Sequence, residues 1–322
     1  MSAEFESGFF YREPAWHRQG VVVTEEIEKW EDARKLADLD WEPETAPVRV
    51  EIETPLGRMS MATNEYVGLV RSDTKTLLSV QSSSYAVIDN TELGSIIDYV
   101  LQNVPKVRYE ALVVLKGGRI VTATLNLGEP IQVQGDSSLT LPQLVVSARH
   151  DGRGGLKLGP SAFRVVCANT QAMAESSIDS SGMGFTIRHT RNWAERTNAA
   201  KLAVESSLAS IDQFKIMAHV LADQALHRGT VEDFLDQWMP YSTDQTDNQR
   251  AGVSRRRAKF MEVWERPETM AFLPDTKYKL LQAATEYCDW EVKHRSDDSQ
   301  VIKQLVTGDP AKVKALTIIG AL

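Results

Sequence analysis

The sequence predicts an α+β fold, with a mostly antiparallel sheet in the N-terminal half and a helical C-terminal half. The expected division is a β-rich α+β domain over 1–190 and a helical region over 191–322 packed on it. Three observations lead there. Apolar residues alternate with period two in stretches such as VRVEIET at 48–54, the signature of a half-buried strand. Gly117-Gly118 stands between two β-rich runs, the signal of a tight hairpin turn. From Asn192 onward the apolar spacing stays helical almost to the end. Strands first and helices later argue against an alternating parallel α/β sheet.

Taken in order, residues 1–45 read as turn-like pieces around one helix. That helix is expected to begin at a Thr24 cap, with Ile27, Trp30, Ala33 and Leu36 on one face. Strands follow at 48–54, 58–63, 66–72 and 77–88, the last with a bulge in its serine run. TELGSIIDYVLQNV after Asp89-Asn90 reads as a helix. The hairpin 109–116/119–127 places Leu112, Val114, Val121 and Ala123 on one face. Val113, Leu115, Ile120 and Thr122 fall on the other. Both faces are largely apolar, so this hairpin is expected inside a covered sheet. A further pair, 141–150 and 156–168, is joined by Asp151-Gly152-Arg153-Gly154-Gly155. All strands from about 46 to 168 are expected in one sheet, and a helix is expected from Asn169. Later helices are expected over 194–226, 230–239, 247–265 and 276–295. No repeat or low-complexity linker stands out.

Composition excludes several classes. The 322 residues are 42% hydrophobic and 25% charged, the balance of a soluble globular protein. No apolar run reaches the ~18 residues of a membrane helix, and the acidic N-terminus does not resemble a signal peptide. The expected location is therefore the cytoplasm, with no membrane partner. Two cysteines, Cys167 and Cys288, exclude a disulfide scaffold and a cysteine-based zinc site. The net charge is -8, and residues 1–54, with 14 acids and 6 bases, carry all of it. Residues 149–191 hold six bases and three acids, a local basic excess.

His150-Asp151-Gly152-Arg153-Gly154-Gly155 invites a phosphate reading. Glycines let successive N–H groups converge on an anion, and Arg149, Arg153 and Lys157 would neutralise it. The stretch lacks the Gly-Lys-Ser/Thr ending of a nucleotide P-loop, and a plain hairpin loop explains its glycines equally well. The histidines show no metal-ligand spacing, so neither a metal nor a cofactor is expected. Cys167 alternates inward with Val165, which predicts an inert thiol, whereas Arg164 must reach solvent, a carboxylate or an anion. Trp16-His17-Arg18 could stack on a base or dock the N-terminus. Arg255-Arg256-Arg257 reads as a solvated helix face.

These stretches together resemble the phage- and plasmid-type proteins that carry domain of unknown function 932. The likeness rests on Pro14-Ala15-Trp16-His17 with Gly20, on Tyr85-Ala86-Val87-Ile88-Asp89-Asn90, and on Gly117-Gly118-Arg119 and His150-Asp151-Gly152. It continues through Arg164-Val165-Val166-Cys167-Ala168-Asn169-Thr170, Arg188-His189-Thr190 and Ala283-Ala284-Thr285-Glu286-Tyr287. Arg18-Gln19 departs from the small residues the family usually has before its glycine. The resemblance brings no catalytic residues with it. Its phage and plasmid setting implies work in DNA replication, recombination or counter-defence, and the order of strands then helix looks like the core of single-strand annealing proteins.

The leading expectation is a nucleic-acid-binding accessory, a homo-oligomer that anneals single-stranded DNA. Annealing needs a basic groove and no covalent chemistry. Its phosphate contacts would be Lys116, Arg119, Arg149, Arg153, Lys157, Arg164 and Arg188. One alternative is a protein-interaction module acting on a host factor through the helical half. Another is a nucleotide or phosphate-ester enzyme using His17, His150, Asp151, Arg164, Cys167 and His189; the absence of a catalytic signature leans away from it.

Overall fold

The computed structural model describes residues 5–12, 20–164, 169–172, 185–187, 193–227, 229–292 and 309–322. The strands are β1 (Phe5–Tyr11), β2 (Val21–Val23), β3 (Pro43–Thr54), β4 (Gly57–Arg71), β5 (Leu77–Ser82), β6 (Arg108–Leu115), β7 (Ile120–Asn126), β8 (Ile131–Gln132), β9 (Leu139–Arg149), β10 (Leu156–Arg164), β11 (Asn169–Ala172) and β12 (Phe185–Ile187). The helices are α1 (Trp30–Leu36), α2 (Asn90–Asn103), α3 (Trp193–Asp223), α4 (Thr230–Trp238), α5 (Asp247–Trp264), α6 (Lys277–Glu286) and α7 (Pro310–Ala321). A π-helical turn, Tyr287–Glu291, extends α6. The chain is thus α+β, sheets first and helices after.

The strands form two sheets where one was expected. The larger runs β11-β10-β9-β7-β6-β1-β2, with β12 also on β10 and β8 on β9. The smaller is β3-β4-β5. Pairing is antiparallel except for β1 with β2. β1, whose FESGFFY does not alternate, is a strand the sequence did not predict, and α1 is capped five residues later than the expected Thr24. Lys29 is its N-cap, and the Asp98 side chain, reaching from α2, accepts from the Trp30 N–H at 2.9 Å. The expected single strand over 77–88 ends at Ser82. The helix expected from Asn169 is instead β11, which pairs back on β10.

The central hairpin forms as its two glycines require. Arg119 N–H donates to Lys116 O at 3.3 Å, and Gly117 and Gly118 have φ of +64° and +86°, the signs of a type I′ turn. Leu112, Val114, Val121 and Ala123 enter one core. Trp30 and Ala33 of α1, Leu93, Ile97 and Val100 of α2, and Leu69 and Leu78 of the small sheet cover them. Val113, Leu115 and Ile120 pack with Phe10 and Val145 on the other face. The helices build a second core around Phe234, Trp238, Phe260 and Tyr287, joined to the sheet by Ile131, Val133 and Ala162.

Arg71 pins the small sheet to the large one. Its guanidinium lies 4.3 Å over the Trp41 ring and pairs with Glu6 of β1 and with Asp73, the latter at 2.7 Å. The Arg71 hydrogen bonds hold the Asp73 carboxyl down at about 2. A depressed carboxyl stabilises the fold above its ordinary pKa, and that stabilisation is lost as pH falls toward the folded value. Thermal midpoints are therefore expected to fall between about pH 4 and about pH 2, and part of that fall should vanish in Asp73→Asn. An unchanged pH slope in the variant would refute the assignment.

Candidate functional site

Three of the stretches singled out in the sequence meet at one end of the large sheet. The register Ile120↔Arg149 sets the Lys116–Arg119 turn beside the loop after β9, and His150 N–H donates to Arg119 O at 2.8 Å. Ser79 of β5 donates to His150 O at 2.8 Å. Arg119 Nε donates to Leu78 O at 2.9 Å, and Nη2 to Leu77 O at 3.2 Å. The turn and the loop therefore clamp the edge of the small sheet. Gly118 is demanded twice here, by its positive φ and by the Trp41 ring, 2.7 Å from where a Cβ would stand.

His150 points into the core. It is 1% exposed, its ring meets Trp41 edge to face at 6.0 Å between centroids, and Nε2 lies 3.1 Å from Asn90 Oδ1. Asn90 Nδ2 donates to Trp41 O at 2.8 Å, which leaves its Oδ1 as acceptor and assigns the proton to His150 Nε2. Asn90 opens α2 directly after its cap Asp89, which accepts from Glu92 N–H. His150 thus ties α2 to the sheet.

Asp151 serves the loop itself. Arg149 Nε donates to its Oδ1 at 3.1 Å, and the Arg153 N–H donates to the same oxygen at 3.0 Å. Burial pushes this carboxyl up. The Arg149 hydrogen bonds, the Arg153 N–H and both cationic charges outweigh that and hold it below the usual carboxylate range. The loop does gather an amide and a guanidinium around an anion, but the anion is its own side chain. Tyr85 lies close by, its hydroxyl pushed up by burial and by the Asp151 charge. Gly152, at φ +73°, lets the loop close over Gln81 of β5.

Of the expected phosphate contacts, Lys116, Arg119, Arg149, Arg153 and Lys157 share this end of the sheet. Arg119 and Arg153 are exposed, and Lys116 and Lys157 are half-buried. Carbonyls satisfy the Arg119 donors without cancelling its charge. Arg164 ends β10, opposite Thr140. The Arg164 side chain and all of His17, Cys167, Arg188 and His189 lie outside the described features.

A second polar locus escaped the sequence reading. α6 lies among α3, α5, α7 and β11 and is buried along its length. Gln282, Thr285, Glu286 and Asp289 nevertheless line one side of it, at i, i+3, i+4 and i+7. Glu286 pairs with Arg266 at 2.6 Å and accepts from Thr269 at 2.9 Å. Asp289 pairs with Lys312 of α7 at 2.6 Å. The available signal was this polar spacing within an otherwise apolar helix. Among the described residues no group of three or more His, Cys, Asp or Glu could hold a metal ion, and no helix is long and apolar enough to cross a membrane.

Residues 77–306 match the family model described as domain of unknown function (DUF932). The chain belongs to this family. The matched span contains the Lys116–Arg119 turn, the His150 loop and α6, whereas α1, β1 to β4 and α7 lie outside it. No curated protein and no solved structure matches the chain.

Proposed function

We propose that this family member binds single-stranded nucleic acid across the end of the large sheet, as an accessory to strand annealing or recombination. One observation carries the reading: the β7–β9 register brings two basic glycine turns side by side. Arg119 and Arg153 are exposed there, and Arg149 is paired with Asp151. Arg71, behind Gly118, is taken up by Glu6 and Asp73, so among the described residues Arg119 and Arg153 are the exposed cations these turns offer to a phosphate. Such a surface tracks a phosphate backbone without reading its sequence. Annealing needs no nucleophile, which suits a His150 held in the core and an Asp151 spent on its own loop. Work on phage or plasmid DNA in a host cytoplasm, as a homo-oligomer, accords with this reading, and a host protein partner is its rival.

Anisotropy of a labelled oligothymidylate tests it. Binding is expected at low salt, and the affinity should fall linearly on a log-log plot as salt rises. Lys116→Ala and Arg153→Ala should each weaken binding and flatten the slope by about 0.7. Both side chains project from turns, so neither change should disturb the fold. No binding at low salt, or unchanged slopes in both variants, rejects the proposal.

A further inference from the structure

The outer face of the small sheet is the most conspicuous feature that nucleic-acid binding leaves unused. β3 and β4 run on well past β5, which pairs only with Tyr66–Val70. From the Val48↔Thr63 pair outward they form a bare two-stranded arm. Val50 lies opposite Met61 and Ile52 opposite Met59, so these four side chains share one face. Val48 continues that face toward Gly68, where Leu77 also lies, and Val80 and Tyr66 flank the same dent. The opposite face of the arm is polar and satisfied within the chain. Arg58 pairs with Glu53 at 2.9 Å and with Glu51 at 3.5 Å, and Arg49 donates to Ser60 at 3.0 Å.

We infer that this apolar face is the interface with a second copy of the chain, laid face to face about a two-fold axis. Four arguments select that occupant. The seven side chains Val50, Ile52, Met59, Met61, Tyr66, Leu77 and Val80 keep exposures of 41% to 50%. They leave roughly 600 Å² in one copy and about 1,200 Å² in two, at the lower edge of a standard specific interface. A lone two-stranded ribbon is marginal in water, so the arm gains stability from whatever covers this face. The seven side chains carry no charge, and Glu44 at the foot of the face is paired with Lys75; a two-fold contact needs a self-complementary patch, and an identical uncharged strip supplies one, stacked at about 10 Å. Finally, Glu44, Glu51, Glu53 and Glu65 outnumber Arg49 and Arg58 over 44–65, which disfavours nucleic acid and anionic lipid on this arm. The inference does not depend on the nucleic-acid reading, and the arm can fail as an interface while the basic turns still bind.

Sedimentation velocity of the full chain over a range of micromolar concentrations tests it. The native protein is expected to run as a dimer. Val50→Lys with Met61→Lys buries four ammonium groups in the two-fold contact and should raise the dimer dissociation constant at least 100-fold. Far-UV circular dichroism should be retained, because neither residue enters a core, while the unfolding midpoint should fall as the stabilisation by the partner copy is lost. Ser60→Lys, on the opposite face of the same arm, should stay dimeric. A native monomer at all concentrations overturns the inference. So does a double variant that remains dimeric, or equal dissociation by Ser60→Lys. Co-flotation of the native chain with phosphatidylcholine vesicles would overturn it in favour of a lipid surface.

Discussion

Gly94→Ala is expected to destabilise the protein by about 1–2 kcal/mol, although the change is small and helix-favouring. Two effects compete at this position. Alanine is better than glycine inside a helix by about 1 kcal/mol, and Gly94 lies within α2. Against that, a Cβ at Gly94 would stand 2.3 Å from Trp30 Cδ1 and Cγ and 2.4 Å from Nε1. Trp30 is 3% exposed, held in the first core with Leu93, Ile97 and Val100. Its ring cannot swing aside without moving α1, whose first N–H is fixed by Asp98 of α2. Overpacking therefore outweighs propensity. Urea denaturation measures the loss. Trp30→Leu placed on Gly94→Ala should recover part of it, giving a coupling energy of opposite sign to the single-variant costs. A neutral or stabilising Gly94→Ala would show that α1 is not seated on α2 as described. Because α2 begins at Asn90, which holds His150, the same variant should also weaken oligonucleotide binding.

What the sequence made legible follows from what a period can encode. Alternation across 109–127, with two glycines between, specifies a turn type and two faces, and both faces lie where alternation puts them. The spacing after Asn192 likewise gives α3 to α5 to within about three residues, whereas the helix expected over 276–295 is α-helical only to Glu286 and passes into the π-helical turn. Alternation does not say which sheet a strand joins, so the separate β3-β4-β5 sheet stayed hidden in an expected single one. β1 was hidden for another reason: it pairs with β6 about a hundred residues away, and its glycine and polar residues interrupt any period. At the candidate site, the adjacency of the two basic turns needed only the strand order β7-β9 beyond what was read. The Arg149–Asp151 pair was within reach, since residues two apart on an extended chain share a side. The inward turn of His150 was not, because nothing in His-Asp-Gly announces Trp41 and Asn90, which come from elements far away in the chain.

Gln282→Met is expected to stabilise the protein by about 1–2 kcal/mol. Gln282 is 0% exposed, and neither atom of its amide has a hydrogen-bond partner among the described residues. A buried amide without partners costs about 1–3 kcal/mol relative to its hydrated state. Its neighbours along the helix are satisfied differently: Tyr278 donates to Asp136 at 3.2 Å, Glu286 has Arg266 and Thr269, and Asp289 has Lys312. Methionine keeps the length and most of the volume of the side chain, removes both polar atoms and adapts to an irregular space. Gln282→Ala separates the two contributions, because it removes the amide and also opens a cavity, and it should destabilise where methionine stabilises. Denaturant midpoints of the two variants check the pair of signs. A destabilised Gln282→Met would mean that the amide is engaged in solution. A stabilised Gln282→Met that loses oligonucleotide binding would mean that this chain carries the amide at a cost in stability for the sake of function, on a helix that runs on into a π-helical turn.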